Sequence, residues 1–206
     1  MKGYLLFKVR VVLALAVVLA VAVPTLAVAV STADNQGTAP AAPSAALAPV
    51  CTGGLSATNA ALQTRALTTN TPQVFTGTTY TTLGCGTFGV SVPAGRRGLI
   101  VVKVDAEVTC TGTDPAVDSQ WCLGRVLIGG VEGQPSAPEP DSFAWAQSSP
   151  DSAAWESAAF TRSRIVVCPA GGPTCGYTIA AQVRNHAAGL NFRVDDLTVH
   201  ATTTYQ

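Results

Sequence analysis

Residues 99–110, LIVVKVDAEVTC, change character with a period of two. Ile100, Val102, Val104, Ala106, Val108 and Cys110 share one parity, and Lys103, Asp105, Glu107 and Thr109 share the other. An extended chain sends alternate side chains to opposite faces, so this segment reads as a strand buried on one side and wet on the other. A helix would spread the same charges around its circumference. Residues 177–184 repeat the pattern, with Tyr177, Ile179, Ala181 and Val183 inward. In 190–205 the phase slips. Leu190, Phe192 and Val194 are even, whereas Leu197, Val199 and Ala201 are odd. One extra residue at Asp195-Asp196 restores the phase, which predicts a β-bulge there.

Residues 121–131, WCLGRVLIGGV, read as one further strand, with Cys122, Val126 and Ile128 inward and Arg125 outward. Weaker strand patterns lie near 73–83, 87–92, 142–146 and 157–167, separated by turn signals at Pro93-Ala94-Gly95 and across 133–141. No segment sustains a period of 3.6, and no internal repeat is visible. About eight strands spaced by turns predict an all-β, two-sheet antiparallel sandwich. Jelly-roll connectivity fits that strand count. An immunoglobulin-like order is the second choice, because its Cys–Trp–Cys spacing is missing.

The N-terminus has a different character. Lys2, Lys8 and Arg10 precede the apolar run 11–23, and Ala27-Val28-Ala29 follows Pro24. Basic start, apolar core and small residues are the order of a secretory signal, with cleavage expected after Ala29 and a second site at Ser31-Thr32-Ala33. The alternative is an uncleaved anchor. Residues 11–30 are about long enough to span a bilayer as a helix, though Pro24 weakens it. Both readings of 1–29 place the remainder outside the cytoplasm, since the basic end stays inside. Residues 30–50 are Ala/Pro-rich and aperiodic and read as a flexible linker, leaving 51–206 as the folded domain. The expected location is extracellular or at the cell surface.

Six cysteines follow, at 51, 85, 110, 122, 168 and 175. An even number in an exported chain reads as a disulfide framework with fifteen possible pairings. Cys168 and Cys175 bracket the turn-rich PAGGPT. Cys110 and Cys122 bracket a polar loop and share inward parity on their strands, a necessary condition for bonding. Cys51 is left with Cys85. A zinc site is not expected, because no CxxC occurs and His186 and His200 are the only histidines. No cofactor is expected either.

Without the three cations of residues 1–10, nine Lys and Arg face twelve Asp and Glu. A mildly acidic product does not suit nucleic acid or an anionic lipid surface. Membrane contact is expected only through an uncleaved N-terminal helix.

The segments VPAGRRGLIVVKVDAEVTC, WCLGRVLIGGVE, AAWESAAFTRS and FRVDDLTV, in this order, resemble exported single-domain β-sandwich proteins of actinobacterial type. The likeness covers about residues 70–205. Trp often follows the paired Asp in that group, whereas this chain has Leu197. The resemblance implies export and a sandwich. It implies no function and no catalytic residue.

The chemical candidates are few. Asp195 and Asp196 could act as an acid/base pair or bind calcium. Adjacent strand residues diverge, however, and calcium needs six to eight oxygens. The plainer role is satisfying the bulge backbone. His186 and His200 read as loop and surface histidines, since neither a GxSxG elbow nor an HExxH motif is present. Trp121, Trp145 and Trp155 are candidates for ring stacking on a ligand, with packing beneath loops as the alternative. Arg162, Arg164, Arg184 and Arg193 would form an outward basic stripe if their strands were neighbours, but surface pairing with Asp105 and Glu107 is the ordinary outcome and the one expected.

The leading expectation is a non-catalytic binding or cell-surface structural module with a cell-wall or extracellular glycan, or another envelope protein, as partner. A secreted hydrolase would need at least two of Asp195, Asp196, Glu156, His186 and His200 in one cleft. A self-associating envelope protein is the third possibility, through pairing of edge strands.

Overall fold

The computed structural model describes residues 48–59, 61–112, 120–136, 144–148 and 154–206. The proposed leader or anchor (1–29) and almost all of the linker lie outside these residues. Among the described residues no helix is long and apolar enough to cross a membrane.

Eleven strands are present there, against the eight or so expected. They are β1 (Thr52–Thr58), β2 (Leu62–Thr69), β3 (Gln73–Phe75), β4 (Thr81–Val92), β5 (Arg97–Thr111), β6 (Gln120–Ile128), β7 (Val131–Glu132), β8 (Ala144–Ser148), β9 (Glu156–Val167), β10 (Cys175–Asn185) and β11 (Asn191–Tyr205). All pairings are antiparallel. Sheet A has the order β1-β2-β11-β5-β9, with β3 also on β11. Sheet B has the order β4-β10-β6-β7, with β8 also on β6.

The inward parity of each strand forms one core between the sheets. Sheet A supplies Ile100, Val102, Val104, Val108, Phe192, Val194, Leu197 and Val199; sheet B supplies Phe88, Val90, Val126, Ile128, Ile179 and Val183. Each such side chain contributes roughly 1.5–3 kcal/mol when fully buried.

Several expectations need correction. The strand read over 121–131 is a hairpin, because Gly129 and Gly130 take φ of 60° and 77° and turn β6 into β7. Consecutive positive φ values suit glycine and the tight hairpin turn. The segment near 73–83 is split. Residues 73–75 pair in sheet A, and the chain then crosses to sheet B, where Gly77 accepts a hydrogen bond from the Asn185 amide. Conversely, 81–92 is one strand, carried through Gly84-Cys85-Gly86 by a bulge at which Cys85 has φ 62°. Strands β1 and β2 had no signal, because their Thr-rich sequence does not alternate.

Disulfides join Cys51 to Cys85, Cys110 to Cys122 and Cys168 to Cys175. Each runs between the two sheets. Cys51 leads into β1 and Cys85 lies in β4; Cys110 is in β5 and Cys122 in β6; Cys168 follows β9 and Cys175 opens β10. Such bonds persist in an oxidising compartment.

Two sheet edges are closed by neighbours. Gln63 of β2 accepts from the Ser91 amide at 2.8 Å, and Arg65 donates to the Gly89 carbonyl at 2.8 Å, occupying backbone groups of edge strand β4. Gln134 exchanges two backbone hydrogen bonds with Ser163 on edge strand β9. Occupied edges do not template further strands.

Gly124 sits at an inward position of β6. A Cβ there would lie 2.8 Å from Phe160 Cε1 and 3.3 Å from Trp145 Cε3. Gly124→Ala is therefore expected to destabilise by about 1–3 kcal/mol through overpacking. A thermal melt checks this; an unchanged melting temperature would show that the aromatic pair yields freely.

Candidate functional site

The bulge is the local device that shapes the outer face of sheet A. Asp195 pairs with Glu107 and Thr198 with Asp105, so three steps along β11 match two along β5. Asp196 takes up the surplus at φ 46°, a left-handed conformation that aspartate tolerates better than most residues. Its amide donates to Asp195 Oδ1 at 2.9 Å. One carboxylate thus satisfies the bulge, and the other lines a shallow depression on the outer face together with Asp105, Glu107, Ser157, Ala158 and Ala159.

Strand register explains the company it keeps. Glu107 lies level with Ser157 of β9 and Asp105 with Ala159. Neighbouring strands are about 4.8 Å apart and alternate residues about 7 Å apart. Asp105 is paired with Lys103 at 2.6 Å, an exposed contact of small energetic weight. Trp155 precedes Ser157 by two residues, the spacing that returns an extended chain to the same side. It is 43% exposed, and continuing the β5–β9 register by one pair sets it level with Thr109. Thr109 faces outward yet is only 3% exposed.

The other predicted residues are dispersed. Trp145 is not a surface platform. It is 7% exposed and stands edge-on to Phe160 (centroids 5.0 Å) and Phe192 (5.6 Å) in the core. Trp121 is half-buried on the outer side of sheet B, its carbonyl accepting from the His186 amide at 2.9 Å. Glu156 pairs with inward-facing Val108, so its parity is opposite to that of Ser157. His200 lies on the outer face level with Lys103, outside the depression. Of Asp195, Asp196, Glu156, His186 and His200, at least two of which a hydrolase would bring into one cleft, Asp196 alone lines this depression. Among the described residues no group of three or more His, Cys, Asp or Glu is placed to hold a metal.

The arginines form no outward stripe, and Asp105 is paired with Lys103. Arg162 is 4% exposed on the inward parity of β9, and Arg164 donates to the Ile128 carbonyl across the sandwich edge. Burial lowers the Arg162 pKa from its ordinary value, with Glu132 acting in the opposite direction. Arg125 and Arg184 instead flank Tyr80 on sheet B, with guanidinium carbons 3.7 and 5.0 Å from the ring centroid. Arg125 Nε also donates to Gln182 Oε1 at 2.8 Å, and Gln182 to Thr82 at 3.2 Å. These contacts build a polar network on the outer face of sheet B.

Asp105, Glu107 and Ser157 were missed as site residues. Their outward parity was legible, but their neighbours across the sheet were not. No protein-family model and no curated protein matches this chain, so the chemistry of the site rests on its residues alone.

Proposed function

We propose that this chain is an exported, non-catalytic binding module that holds a glycan of the cell envelope or its surroundings on the outer face of sheet A. The observation that carries the reading is an exposed tryptophan, Trp155, immediately before β9 and two residues from Ser157 of a depression lined by Asp105, Glu107 and Asp196. An aromatic ring stacks on the apolar face of a sugar, while carboxylate oxygens accept hydrogen bonds from its hydroxyls. The acidic lining selects neutral or amine-bearing sugars and repels anionic polymers. The long central strands β5 and β11 give this surface a rigid base, as a binding site requires.

In this reading residues 1–29 direct export or anchor the chain, and 30–50 act as a spacer. The sandwich is read as a jelly roll. Apart from β1, β3 and β7, its strands fall into the order β2-β11-β5-β9 in one sheet and β4-β10-β6-β8 in the other, which supports that connectivity.

Retention on insoluble polysaccharides and on isolated envelope fractions tests the function. Trp155→Ala is expected to weaken binding about tenfold, or roughly 1.4 kcal/mol, and Glu107→Gln by a smaller factor, with both melting temperatures unchanged. If the wild-type chain is retained by none of these materials, the reading fails.

A further inference from the structure

Three exposed aliphatic side chains, Leu99, Ile165 and Val167, lie at the end of sheet A away from the bulge, and exposed Val131 of β7 in sheet B borders the same hollow as Leu99 and Ile165. Ile165 and Val167 are 58% and 60% exposed. Leu99 and Ile165 are cross-strand partners. Together they form a ridge between two shallow hollows that both contain them. One hollow is bounded by Val131, Glu132, Gln134 and Arg164, whose guanidinium is tied to the Ile128 carbonyl, the other by Arg97 and Gln206.

We propose that this ridge is the contact between two copies of the chain, related by a two-fold axis. Clustered apolar groups of this kind mark an interaction surface more often than scattered ones do. The charges select the occupant. A two-fold axis on the ridge turns the Glu132 hollow of one copy toward the Arg97 hollow of the other, so a carboxylate meets a guanidinium twice. Glu132 lies among Arg125, Arg162 and Arg164, but its ion pair with Arg125 is long, at 4.0 Å, and its side chain keeps 27% exposure, which leaves it within reach of a cation from a second copy. The contact is through the face, where the ridge lies; at the β9 edge Gln134 pairs with Ser163. A two-fold contact closes on itself and gives a dimer. The bulge corner is about 20 Å along β5 from Leu99, counting six residues to Asp105, and stays open in both copies. This inference does not depend on what that corner binds.

Sedimentation equilibrium of the full chain, with disulfides intact and every variant solubilised identically, tests it. Association through residues 1–47 is common to all variants, so differences report the ridge. A monomer–dimer equilibrium is expected, weakened at least tenfold by Ile165→Lys and by Arg97→Glu, with Arg97→Glu/Glu132→Lys restoring it. Melting curves show that each variant is folded. A strict monomer, open polymers, or a dimer indifferent to Ile165→Lys would overturn the proposal. A ridge-dependent dimer indifferent to Arg97→Glu would overturn the two-fold arrangement.

Discussion

Phe192→Ala is expected to lower the unfolding free energy by about 3–5 kcal/mol. Phe192 is fully buried on β11, between Cys110 of β5 and Phe75 of β3. The Trp145 ring meets it nearly perpendicularly, at 83°. Removing the ring leaves a void bounded by strands in two sheets, which disulfides and ladder hydrogen bonds keep from closing. For a domain of this size each kcal/mol corresponds to roughly 2–4 °C in melting temperature, so a fall of about 6–20 °C is expected. Phe192→Leu retains most of the volume and should cost less than about 1.5 kcal/mol. Equal losses from the two variants would show that the ring contributes shape and not volume.

Paired replacement of Cys110 and Cys122 by alanine is the second large effect. Closing a loop of 12 residues limits the unfolded chain by about 3 kcal/mol. Both cysteines are also buried in the core, and each missing sulfur adds roughly 1 kcal/mol of void. Together about 5 kcal/mol is lost. The Cys51–Cys85 bond closes a longer loop, with separation 34, for which chain entropy alone gives about 4 kcal/mol. Cys51 is exposed, however, so little packing is lost at that end. Melting the two double variants side by side separates the contributions. If the Cys51/Cys85 variant is the less stable, loop length outweighs packing. If the Cys110/Cys122 variant melts like the wild type, the bond does not hold the sheets together.

These bonds also show how far local patterns carry. Inward parity identified Cys110 and Cys122 as able to meet. It did not show that they meet across the core, because parity is the same whether two strands share a sheet or face one another. Arg162 illustrates the reverse failure. Its guanidinium lies over the Phe160 ring at 5.1 Å and donates to the Thr161 carbonyl, so a buried arginine on this edge strand breaks the polar-outward rule. Strands β1 and β2 failed for a third reason. Threonine suits both a wet and a half-buried strand position, so the Thr-rich stretch 52–69 carries no phase.

By itself, the sequence determined which face of β5, β10 and β11 is buried and where β11 must bulge. Both follow from alternation within a single strand, a local property. The tertiary structure alone decided the order of strands in each sheet. That order sets Asp105 and Glu107 beside Asp196, packs Trp145 in the core and leaves Trp155 exposed. Pairing joins residues as much as 142 positions apart, Leu62 and Thr204, and Asp105 and Thr198 are 93 apart. Their register depends on the whole core closing at once, and no window of sequence contains it.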